Sequence, residues 1–302
     1  MKVLVPTSLL MSISAKHIED LAARYLVTRI KAAPQARLEK WASRISNTGW
    51  HVFSRHRRVA CDNVARAFPG LDENAVTGIA RASFRHAAVA LVDAVRMPER
   101  LPDFVWTRPD ALGPILEKKL PAIVISGHIG NWEVAGAAIA ARGGKLHLIV
   151  ATPTSPGVAR LVQHLRTGWG VIPHAREKSL LSVARALRRG ELIGTAVDQW
   201  PVRHAVSVTF LDRPTPFASG LFDYALRTGV PLVAVWAIRT NQNSATPEYA
   251  ITTELVWDGE APVCSADDLV RRWVRMLESV IRCHPDQYLW MHDRWKIRCD
   301  AR

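Results

Sequence analysis

His128 stands five residues ahead of Glu133 in the stretch Ser126-Gly-His128-Ile-Gly-Asn-Trp-Glu133. An imidazole titrates near neutrality and can take a proton from a hydroxyl, while a neighbouring carboxylate fixes its tautomer and stabilises the imidazolium. A chain with 11 His and 27 Asp+Glu meets the pattern His-x4-acid roughly once by chance. Spacing alone therefore decides nothing; the position of the pair in the fold does.

That position is informative. Pro121-Ala-Ile-Val-Ile-Ser126 is a short apolar run rich in β-branched residues, which predicts a buried strand. Gly127 and Gly130 permit a sharp turn, and Asn131 is a good N-cap for a helix opening at Trp132-Glu133-Val134. His128 then lies at the carboxyl end of a strand and Glu133 in the first turn of the next helix. Open α/β sheets bind their ligands in the crevice outside those strand ends.

A second carboxylate, Asp198, follows a predicted strand at 191–197 and is trailed by Gln199. It shares the rim with His128 if the two strands are neighbours. Candidates for contact with an anionic substrate are Asn131, Arg166, Arg176, Gln199 and Arg203; arginine suits phosphate or carboxylate because its fork binds both oxygens. No Gly-x-Gly-x-x-Gly follows a strand, and neither a Gly-x4-Gly-Lys-Ser/Thr loop nor a Gly-x-Ser-x-Gly elbow is present. Direct transfer by general base catalysis is the natural scheme without an activated nucleophile. Cys283, His284, His292 and Cys299 match no standard zinc spacing, so no metal or cofactor is expected.

Strands are predicted at 121–126, 146–151, 191–197, 231–238 and 249–255, and helices at 131–142, 157–168, 178–189, 217–228 and 266–283. This alternation implies an α/β fold with a mostly parallel central sheet flanked by helices. Ahead of it, residues 17–60 have an amphipathic helical pattern, with Leu21, Tyr25, Leu38, Trp41 and Ile45 on the apolar side. Two more helices are expected between Cys61 and Arg96, broken at Phe68-Pro69-Gly70, the second capped by Asp72. The stretch 97–114 carries four prolines and is expected to be a connector, with the α/β core starting after it. The expected organisation is a basic amphipathic helical region over 1–60 and an α/β domain over 61–302.

Charge is unevenly spread on this 302-residue chain of net charge +13. Residues 1–60 hold 11 Lys+Arg against 3 Asp+Glu, a net of +8. A basic end on a near-balanced body suits an anionic surface, and basic amphipathic helices carrying Trp lie well at a membrane interface. Residues 3–14 are apolar but too short to span a bilayer. Four scattered cysteines fit a reduced compartment.

Four blocks together resemble the bacterial late acyltransferases of lipid A biosynthesis. They are Arg58-Val-Ala-Cys-Asp-Asn63-Val-Ala-Arg-Ala-Phe68-Pro69, Ser126-Gly-His128-Ile-Gly-Asn-Trp-Glu133, Arg188-Arg-Gly-Glu191 leading to Asp198-Gln199, and His284-Pro-Asp-Gln287-Tyr-Leu-Trp290-Met-His292-Asp-Arg294-Trp295. The resemblance implies an O-acyltransferase that moves a fatty acyl chain from acyl carrier protein or acyl-coenzyme A to a hydroxyl of an anionic glycolipid, a lipid A precursor. By position, His128 would be the general base, Glu133 its orienting carboxylate and Asp198 a further active-site acid. The chain would sit peripherally on the cytoplasmic face of the bacterial inner membrane, with no nucleic acid partner. The alternative is a non-catalytic peripheral protein that binds anionic lipid or nucleic acid through its basic end.

Overall fold

A computed structural model describes residues 20–153, 155–176, 180–199, 205–241, 248–263 and 265–295. The apolar run at 3–14, Arg203 and Cys299 lie outside the described residues. Helices α1 (residues 20–31), α2 (Gln35–Val52), α3 (Ser54–Ala67) and α4 (Glu73–Arg96) come first, and strand β1 (Asp103–Asp110) follows them. The chain then runs α5 (Gly113–Glu117), β2 (Ala122–Ser126), α6 (Trp132–Ala141), β3 (Leu146–Val150), α7 (Pro156–Gly168) and β4 (Ile172–Ala175). Next come α8 (Leu180–Arg188), β5 (Leu192–Ala196), β6 (Ala205–Phe210), β7 (Arg213–Ala218) and α9 (Gly220–Thr228). It closes with β8 (Leu232–Arg239), β9 (Glu248–Trp257), α10 (Ala266–Cys283) and a 3-10 turn, Pro285–Gln287.

The main sheet has the order β1-β9-β8-β2-β5-β3-β4, and only the β8–β9 pairing within it is antiparallel. β2 lies in the middle. All five of its residues are buried, as are all eight of β8, because a parallel sheet is covered on both faces and its strands need apolar side chains on both. The strand period of two divides β2 cleanly. Ile123 and Ile125 join Trp236, Trp273, Phe222 and Val183 on one face, while Ala122 and Val124 join Val134, Ala138, Val89 and Val235 on the other.

The expected core elements all form. Asp72 caps α4, accepting from the Ala75 N–H at 2.8 Å. Four strands escaped the sequence reading. β1 lies inside the supposed connector 97–114: it is an edge strand, and Pro109 falls where its register with β9 shifts, between Trp106 and Asp110. β4 is the opposite edge and is four residues long. The β6–β7 hairpin, with Pro214 and Pro216, forms a separate two-stranded sheet. Its turn places Leu211 and Asp212 at φ 48° and 61°, as a two-residue type I′ turn requires; the Glu278 carboxylate of α10 accepts the Leu211 N–H.

At the N-terminal end the apolar stripe is divided. Leu38 is buried, and Trp41 and Ile45 pack on the core. Leu21 and Tyr25, expected on the same side, are 71% and 64% exposed. No helix among the described residues is long and apolar enough to cross a membrane.

Candidate active site

β2 and β5 pair in parallel with Ser126 opposite Ala196, and the Val197 N–H reaches the Ser126 carbonyl at 3.1 Å. Two residues past that register on each strand stand His128 and Asp198. Sheet pairing alone thus brings together an imidazole and a carboxylate that are 70 residues apart in sequence.

The turn between β2 and α6 can take only a narrow path. At Gly130 φ is +60°, and a Cβ there would lie 2.0 Å from the Ala237 carbonyl oxygen of β8, so only glycine lets the chain pass. The next amide, Asn131 N–H, donates to that same carbonyl at 2.8 Å. Asn131 then caps α6: its side-chain oxygen accepts from the Glu133 and Val134 N–H groups, and its NH2 faces Ala90 O and the Tyr249 hydroxyl. The Tyr249 hydroxyl donates to Asp93 Oδ2 at 2.6 Å, and Arg239 links Asp93 to Glu39. Asn131 is 1% exposed. It holds the turn from behind and does not face the crevice, as a substrate contact would.

His128 Nδ1 lies 2.6 Å from Asp198 Oδ1, and the His128 backbone N–H donates to Asp198 Oδ2 at 2.9 Å. Burial pushes the Asp198 carboxyl up. The charge of the His128 ring, these two hydrogen bonds and the nearby Arg294 cation outweigh it and hold the carboxyl below its ordinary range. An ionised Asp198 accepts from both groups, which puts the ring proton on Nδ1 and leaves a lone pair on Nε2. That lone pair faces the Gln199 amide nitrogen at 3.2 Å, and the Trp132 ring lies edge-on to the imidazole at 4.7 Å.

Glu133 does something else. Arg166 of α7 grips its carboxylate with two bonds, Nη2–Oε1 at 2.6 Å and Nε–Oε2 at 3.2 Å. The expected His128–Glu133 pairing is therefore corrected: Asp198 orients the ring, and Glu133 and Arg166 hold each other beside it. The reason is direction. Helix α6 carries Glu133 towards α7, whereas β5 delivers Asp198 along the same line as β2. Arg176 is exposed past the end of β4, three strands from β2 and so about 14 Å across the sheet.

Sequence reasoning missed the part played by the C-terminal segment. The Leu289 N–H donates to the His128 carbonyl and the Gly130 N–H to the Gln287 carbonyl. Tyr288 is buried with its hydroxyl on Asp198, and burial together with that carboxylate keeps the phenol protonated far above neutrality. Arg294, 2% exposed, donates to Pro216 O at 2.6 Å and lies over the Phe217 ring. The aromatic and basic character of 285–296 was the available signal, but it reads equally well as core closure.

The family model for bacterial lipid A biosynthesis acyltransferases matches residues 17–297. The chain belongs to that family. No curated protein matches it. Membership makes this lipid A acyltransferase relative an acyl-transferring enzyme of lipopolysaccharide synthesis, and the match runs through every element that builds the His128 turn.

Proposed function

We propose that this lipid A biosynthesis acyltransferase moves a fatty acyl group from a thioester carrier, acyl carrier protein or coenzyme A, to a hydroxyl of a lipid A precursor. The observation that carries the reading is the His128 ring, fixed through Nδ1 by Asp198 with the Nε2 lone pair turned to the side chain of Gln199. Nε2 takes the proton of the acceptor hydroxyl as its oxygen attacks the thioester carbonyl. The C–O bond forms, the C–S bond breaks, and the imidazolium returns the proton to the leaving thiolate. Asp198 stabilises the imidazolium in between. Arg166 has one Nη beyond its two bonds to Glu133, a donor for an anionic group of the glycolipid.

Attachment is peripheral, on the cytoplasmic face of the inner membrane. Leu21, Tyr25, Val52 and Phe53 are exposed apolar side chains near basic residues in sequence (Arg24, Arg29, Arg55, Arg57, Arg58), a combination that favours anionic lipid.

Mass spectrometry of cellular lipids tests the reading. Deletion of the gene and a His128→Ala copy should both leave one lipid A species short of a single acyl chain, which also names the chain length. An unchanged lipid profile in the deletion strain refutes it. Flotation with anionic vesicles tests attachment: binding should fall with salt and with Phe53→Ser.

A further inference from the structure

Gln199 occupies the one ring position that the reaction needs empty. Its amide nitrogen is 3.2 Å from His128 Nε2, the atom that would receive the acceptor proton. The orientation of the amide follows from the chemistry of the ring: Asp198 fixes the proton on Nδ1, so only the NH2 side of the amide can face Nε2. An acceptor hydroxyl must take that place, and the amide must move.

We infer that Gln199 is a catalytic residue that covers His128 Nε2 in the resting enzyme and, when the acceptor hydroxyl displaces it, turns its N–H to the oxyanion formed on the thioester carbonyl. The inference rests on the transferase reading above and adds the missing electrophilic partner. The distances allow it. The oxyanion and the attacking oxygen are bonded to the same carbon, so they lie about 2.3 Å apart by ordinary bond lengths. A donor that begins on the attacking oxygen's position needs a rotation of only about that size to reach the oxyanion.

Several nearby donors are already engaged. The His128 N–H is on Asp198, the Gly130 N–H on Gln287 O, and the Asn131 N–H on Ala237 O. The Nε and one Nη of Arg166 are on Glu133. Gln199 is half-buried, and the bond to Nε2 is one that substrate binding breaks in any case. Proton, acyl group and thiol balance as in the proposed transfer, because Gln199 donates a hydrogen bond and exchanges no atom.

The test uses two readouts on the full chain. Nitrogen-15 NMR of the His128 imidazole, without substrate, should show the Nε2 resonance shifted in Gln199→Leu while the Nδ1–H signal to Asp198 persists. Kinetics with an acyl-coenzyme A thioester and detergent-dispersed lipid A precursor, followed by thiol release, should show kcat reduced about 10²–10³-fold in Gln199→Leu with KM within about threefold. Gln199→Glu, which has no N–H to give and adds a negative charge, should lose at least as much at an unchanged unfolding temperature. A kcat within threefold of wild type, a loss confined to KM, or an unmoved Nε2 resonance overturns the inference. His128→Ala in parallel separates the failures. An inactive His128→Ala beside an active Gln199→Leu overturns the role of Gln199 alone, and an active His128→Ala overturns the base assignment and the inference with it.

Discussion

Each end of β5 sets a carboxylate against a histidine, and the two ends behave differently. At its start, Glu191 accepts from His147 Nε2 at 2.9 Å and from Arg189 at 2.5 and 3.0 Å. His147 Nδ1 is closed off by His174 Nε2 at 2.8 Å. Beyond the other end, Asp198 holds only Nδ1 of His128 and leaves Nε2 to a side chain that can move. A histidine bonded through both nitrogens to fixed groups joins two strands. A histidine whose second nitrogen meets only a displaceable side chain, at the carboxyl end of a parallel sheet, has a proton site to offer. Similar pairs of residue types thus take opposite roles according to which end of the strand carries them.

The sharpest way to break this contrast is to truncate both histidines. His128→Ala should cost about 10²–10⁴ in kcat, whereas His147→Ala should leave kcat within about threefold in the same thiol-release assay. Comparable losses would remove the distinction. Of the same order, Asp198→Asn should lower kcat by about 10²–10⁴, because an amide no longer stabilises the imidazolium or secures the tautomer. Glu133→Gln should cost about tenfold and show mainly in acceptor KM, since Arg166 keeps one of its bonds. The reverse ranking would restore Glu133 as the partner of the ring.

Behind the site, stability replaces rate as the readout. Burial holds the His86 imidazole down to about 4 and pushes the Asp93 carboxyl up to about 6. As pH falls from 6.5 towards 4 the unfolded chain gains a proton that His86 refuses in the fold, so stability declines by about 3 kcal/mol. Asp93 acts in the opposite sense: as pH rises from 3.8 towards 6, the unfolded carboxyl loses a proton that the fold retains, and stability again declines. The two slopes oppose each other in wild type. Urea titrations between pH 4 and 6 should give stability that falls with rising pH in His86→Leu and climbs in Asp93→Asn; parallel curves would contradict the assignment.

The smallest effect belongs to the start of β5. Arg189, ahead of His147, holds the Glu191 carboxyl down at about 2, so its contribution is present above about 4.5 and is lost as pH falls through about 2. Glu191→Gln should cost about 1 kcal/mol at neutral pH after allowance for screening by solvent, with kcat unchanged.

Much of the architecture is legible in the residues. Buried parallel strands announce themselves as unbroken apolar runs, which is why β2 and β8 stand out, and Asp72 and Asn131 mark helix starts through their own hydrogen bonds. Edges do not announce themselves: prolines at 102 and 109 hide β1, and Pro173 interrupts β4. The site divides in the same way. His128 and Asp198 are each visible as polar residues at strand ends, yet their contact depends on β5 lying beside β2, and strand order is written in no local pattern. Glu133 is near His128 in sequence, and that nearness misleads because a helix turns its side chain aside. Arg166 illustrates the same limit: its charge suggested a ligand, and its partner is a glutamate 33 residues away.

The segment 284–295 ties the catalytic turn from one side, through Gln287 and Leu289 to Gly130 and His128, and ties the body from the other, where Asn63 donates to the Trp290 and His292 carbonyls. Gln287 also pairs both backbone groups of Arg239 at the end of β8. In order of synthesis these residues leave the ribosome after every strand of the sheet. A nascent chain can therefore lay down its whole scaffold while the His128 turn still lacks its last supports, and the capacity for chemistry arrives only with residues 284–295.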